Sequence, residues 1–130
     1  MVLSLNACSS SDDDDEPSLA GQKFYESYGE YSGRTYYYCV DFISDKQYTF
    51  YETDENFIQR TSNPQIGTYT YDSKSGNIMF DNSVRHTCWA LTSLYFISGT
   101  VTSSTLKVKA RSVYKSGNEY DENFTFHKRQ

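Results

Sequence analysis

Apolar and polar residues alternate with a period of two along most of the chain beyond Leu19, and this pattern predicts a succession of short strands. The clearest case is Thr35 to Ser44. There Tyr36, Tyr38, Val40 and Phe42 share one face, the predicted core face, and Tyr37, Cys39, Asp41 and Ile43 share the other. Ser44-Asp45-Lys46 turns the chain into Gln47 to Glu52, where Tyr48 and Phe50 alternate with Thr49 and Tyr51. Gln22 to Tyr28 reads as a strand before this pair, and Phe57-Ile58 as a weak one after it, ended by Ser62-Asn63-Pro64 because proline cannot donate to a ladder.

Ile66 to Tyr71 and Ile78 to Phe80 form a second hairpin across the polar turn Asp72 to Asn77. Val84 to Gly99 fits either a helix, with Val84, Cys88, Leu91 and Tyr95 on one side, or two strands; the β surroundings favour strands. Thr105 to Tyr114 is unambiguous. Leu106, Val108, Ala110 and Ser112 face one way, and Lys107, Lys109 and Arg111 the other. A last strand, Glu122 to Lys128, turns Phe124 and Phe126 inward. About eight strands joined by short turns predict an all-β fold, a small antiparallel up-and-down barrel, with a sandwich as the alternative. Closure into a barrel would remove the sheet edges that invite aggregation.

Composition agrees with the strand pattern. Thirteen Tyr and eight Phe suit a pleated, half-buried surface. No stretch approaches the roughly 20 apolar residues of a membrane helix. A transmembrane barrel is excluded by Lys107, Lys109 and Arg111 on an outward face, where basic residues at mid-membrane cost roughly 2–4 kcal/mol each.

Ahead of the strands, Met1 to Ala7 is a short apolar piece ending in a small residue, followed by Cys8, three serines and the acidic run Asp12 to Glu16. Leu5-Asn6-Ala7-Cys8 resembles the lipobox of a bacterial lipoprotein signal, and serine followed by acids after the cysteine resembles the signal of outward-facing lipoproteins in Gram-negative bacteria. The resemblance implies a residual signal peptide over residues 1–7, lipidation at Cys8, a tether over residues 8–18, and a membrane-anchored protein at the outer membrane or cell surface. Repulsion among five consecutive carboxylates makes the run a solvated spacer. It also contains the charge imbalance. Of 17 acidic residues it holds five, so the rest of the chain carries as many acids as its 12 basic residues. Net charge therefore gives no nucleic-acid footprint.

Residues 19–130 resemble the small lipocalin-like domains of bacterial surface lipoproteins. Leu19-Ala20-Gly21, the Ile66 to Asp72 strand, the Gly76-Asn77-Ile78 turn and the closing Phe124-Thr125-Phe126 strand carry the resemblance; Gly21-Gln22-Lys23 departs from the Gly-x-Trp opening of true lipocalins. What this implies is a monomeric, non-catalytic binding module for a small apolar ligand or a glycan, with no cofactor. The alternative is an accessory subunit of a cell-envelope complex that binds protein.

Candidate chemistry is sparse. With Cys8 lipidated, Cys39 and Cys88 remain as either a disulfide pair or two buried thiols. His86 and Cys88 would share a strand face roughly 7 Å apart, but no further ligand completes a zinc set. No Gly-x-Ser-x-Gly or similar nucleophile pattern occurs, so no enzyme is expected. Tyr37 and Tyr51, on outward faces of neighbouring strands, are candidate contacts for a sugar or partner. Lys107, Lys109 and Arg111 are a candidate positive stripe for an anionic glycan; the competing role is a charged strand face that discourages mispairing.

Overall fold

The computed structural model describes residues 18–88 and 92–129, without the Cys88 side chain. The expected lipidation site and acidic run lie outside these residues. Nine strands follow one another: β1 (Lys23–Tyr31), β2 (Arg34–Phe42), β3 (Gln47–Thr53), β4 (Ile66–Asp72), β5 (Asn77–Phe80), β6 (His86–Cys88), β7 (Thr92–Val101), β8 (Thr105–Val113) and β9 (Glu119–Lys128). Every pairing is antiparallel. The ring β1-β2-β3-β4-β5-β7-β8-β9 closes through β1–β9 as an eight-stranded up-and-down barrel. β6 is the additional strand. It pairs with the first half of β7, through Leu94, Ser93 and Thr92, while β5 pairs with the second half, through Ser98, Gly99 and Thr100. β5 and β6 thus divide one edge of β7 between them.

The two-strand reading of the Val84 to Gly99 region holds wherever the residues are described, and the helix is ruled out there. The weak strand at Phe57-Ile58 is replaced by a loop. Phe57 has a left-handed backbone (φ 64°), a conformation that cannot propagate a ladder. The Asp54 carboxylate accepts from the Asn56 and Ile58 amides and ties the loop down.

An eight-stranded barrel has an interior just wide enough for side chains to fill, and aromatic rings fill this one. Phe24, Phe42, Tyr48, Phe50, Phe96 and Phe126 are fully buried, with Ile78, Leu94, Leu106, Val40 and Val108. Tyr48 lies at the centre. Its ring stacks on Phe96 at 5.6 Å and meets Phe80 edge-on at 5.0 Å. The space for it comes from Gly67 on the facing strand, where a Cβ would lie 2.4 Å from the Tyr48 ring. Leu19 tucks into the same cluster, and the segment before β1 is fixed by Ser18 donating to Asp45 in the β2–β3 turn.

The ring is not evenly zipped. β8 and β9 pair at nine positions, but β1 and β9 pair at two, Phe24↔Lys128 and Tyr25↔His127. Beyond them the Glu26 carboxylate accepts from the Thr125 amide at 3.3 Å in place of a backbone carbonyl. Next to this point β1 carries a bulge between Ser27 and Gly29.

Candidate binding face

Strand register decides which of the predicted contact residues meet. On the outer wall, β5, β7, β8 and β9 align Met79, Ser98, Lys109 and Asn123 in one cross-strand row, and Asn77, Thr100, Lys107 and Thr125 in the next. These residues line a concavity of about 600 Å³. The short side chains of Ser98 and Thr100 leave it open between the long ones of Met79 and the lysines. Its lining contains two cations, hydroxyls, carboxamides and an exposed thioether, and no acid. Lys107 and Lys109 lie two residues apart on one face of β8, so their ammonium groups can address anionic groups roughly 7 Å apart.

Arg111, the third residue of the predicted stripe, is engaged elsewhere. Its guanidinium pairs with Glu119 at 3.5 Å and lies over the Tyr95 ring. It is not part of the concavity.

The two tyrosines go to another part of the surface. Tyr51 does point outward, but it is buried, at 6% exposure, so it offers no contact surface. Tyr37 is half-buried and stacks on Phe57 at 4.6 Å. The loop that replaces the expected strand folds Phe57 back over the outer face of β1 and β2, where its ring also meets Tyr25, with the Arg129 guanidinium on it at 4.2 Å. Period-two alternation identifies the outward face but cannot show that a distant loop covers it.

Under this cover lies Cys39, a free, buried thiol beside Tyr25 and Tyr51. Burial pushes the Cys39 thiol up to about 11 and the Tyr25 hydroxyl up to about 12, so both are neutral at physiological pH. Cys39 lies on the outward side of β2, opposite Tyr25 and Tyr51. The other half of the expected pair, the Cys88 side chain, is outside the described residues.

His86 projects into the interior. It is 1% exposed, its Nε2 is 2.8 Å from the Tyr48 hydroxyl, and its ring lies among Phe50, Phe96 and Tyr48. Nδ1 has no hydrogen-bond partner among the described residues. Desolvation pushes the imidazole down to about 4, so it is neutral at pH 7. Among the described residues no group of three His, Cys, Asp or Glu side chains is placed to hold a metal ion.

Comparison with protein-family models, curated proteins and solved structures finds no match.

Lys107 and Lys109 were legible in the sequence as a stripe. Their companions Asn77, Met79, Ser98 and Thr100 were not, because they depend on the non-local β5–β7 pairing, for which short polar and apolar residues give no signal.

Proposed function

We propose that this protein is a non-catalytic binding module, held at the outer membrane or cell surface by a lipidated Cys8, and that its ligand is an anionic glycan seated against β5, β7, β8 and β9. The observation that carries the reading is the acid-free concavity in which Lys107 and Lys109 stand among Asn77, Ser98, Thr100, Asn123 and Thr125. Sulfate or uronate groups are matched by the ammonium groups, and sugar hydroxyls by the carboxamides and side-chain hydroxyls. The expectation of a small apolar ligand inside the barrel is set aside, because aromatic rings occupy the interior core. The lipocalin-like resemblance is thereby narrowed to the barrel itself, with the ligand on the outside.

Titration calorimetry of the full chain against a sulfated or uronate hexasaccharide tests the site. The Lys107→Glu/Lys109→Glu double variant is expected to bind at least about tenfold more weakly. Arg111→Glu, outside the concavity, is expected to bind as the wild type does. Equal affinity of all three proteins would refute the assignment.

Anchoring is tested separately. A lipidated Cys8 buries acyl chains worth roughly 0.8 kcal/mol per CH₂. Cys8→Ala should move the protein from the membrane fraction to the soluble fraction, and retention of the variant on membranes would remove the anchor.

A further inference from the structure

Among the described residues, the partly zipped β1–β9 seam leaves one edge of β9 without a strand partner along most of its length. Antiparallel strands point the N–H and C=O of alternate residues to the same side. The Thr125 amide points at β1, where Glu26 receives it. Because the β8–β9 register is unbroken from Thr105↔His127 to Val113↔Glu119, the backbone groups of Asn123, Asp121 and Glu119 point to that side too. Among the described residues, no strand pairs with them there.

Beyond the zipped end the seam is acidic. Beyond Tyr25↔His127 the acids open to a partner are Glu30 on β1 and Glu119 and Asp121 on β9, since Glu26 is held by the Thr125 amide and Glu122 accepts from the buried Ser112 hydroxyl; no Lys, Arg or His occurs between Glu26 and Tyr31 or between Glu119 and Phe126. The basic residues His127, Lys128 and Arg129 begin only at the zipped end.

An open edge with acidic walls has a definite complement. The geometry points to an extended, basic polypeptide segment that adds to the free edge of β9 as an antiparallel strand, with its backbone on Asp121 and Asn123 and its Lys or Arg side chains against the seam carboxylates. Strand addition of this kind takes affinity from main-chain hydrogen bonds and specificity from alternate side chains. The β8 side of the same strand already makes the equivalent contact, since Arg111 reaches Glu119 at 3.5 Å. A partner protein carrying such a segment would engage the barrel on a different edge from the glycan concavity, in keeping with an accessory-subunit role.

The probe is a fluorescein-labelled nine-residue peptide of alternating Lys and Val, added to the full chain and followed by anisotropy and by amide hydrogen exchange. Saturable binding is expected, with slowed exchange at Asp121 and Asn123. An alternating Glu/Val peptide should not bind, nor should a Lys/Val peptide N-methylated at every residue, which lacks backbone donors. Asp121→Pro removes a seam-facing N–H while sparing the β8 ladder, as proline at a strand edge can. It should weaken binding by about tenfold, and Asp121→Asn, which keeps the N–H, by less. Three results would overturn the proposal: no saturable binding, equal affinity of the N-methylated peptide, or binding without protection at Asp121 and Asn123.

Discussion

Tyr48→Ala is expected to lower the unfolding free energy by about 3–5 kcal/mol, the range for removing a large aromatic side chain from a packed core. Tyr48 is fully buried, and its ring is in contact with Phe42, Tyr69, Phe80, His86 and Phe96. The cavity left by alanine cannot collapse easily, because the surrounding side chains are held on five different strands. Tyr48→Phe keeps the ring and removes only the hydroxyl. It should cost about 1–3 kcal/mol, the penalty of leaving the buried His86 Nε2 unmatched. Urea unfolding followed by tyrosine and tryptophan fluorescence measures both. A Tyr48→Ala loss under about 1 kcal/mol would mean that Tyr48 is not the centre of the core.

The second large effect is acid sensitivity carried by His86. The folded protein holds its imidazole at about 4, below the ordinary value of 6.5. As pH falls below 6.5, the unfolded chain takes up this proton before the folded one does. Stability is therefore lost progressively between pH 6.5 and about 4, and the loss is complete below that. A difference of this size corresponds to roughly 3 kcal/mol. His86→Phe removes the group without removing the ring. The wild type should lose roughly 3 kcal/mol more than His86→Phe between pH 7 and pH 4, measured by urea unfolding at each pH; a comparison of the two proteins cancels the carboxylates they share. Parallel pH profiles would show that the imidazole is solvated in the folded state.

Much of this architecture is legible in the sequence, because burial on one face of a strand imposes a period of two. The alternation of Leu106, Val108, Ala110 and Ser112 marks the inward face directly, and the observed burial follows it; along β2 it holds at Val40 and Phe42, but Cys39 on the outward face is buried as well. Two features escaped for a shared physical reason. Tyr37 looks exposed until the Phe57 loop is folded over it, and the binding concavity exists only once β5 is paired with β7. Both depend on contacts between segments far apart in the chain. The open seam is intermediate. Its acids are plain in the sequence, but that they flank an unpaired strand edge appears only when the first and last strands meet.

The Lys107–Lys109 concavity carries the functional account, and a two-dimensional ¹H–¹⁵N titration of the full chain with a sulfated or uronate hexasaccharide tests it most directly. Saturable shifts should concentrate at Asn77, Ser98, Thr100, Lys107, Lys109 and Thr125, with interior residues such as Phe96 and Tyr48 little changed. Shifts centred on the barrel interior, on the Phe57 face, or nowhere at saturating glycan would contradict it.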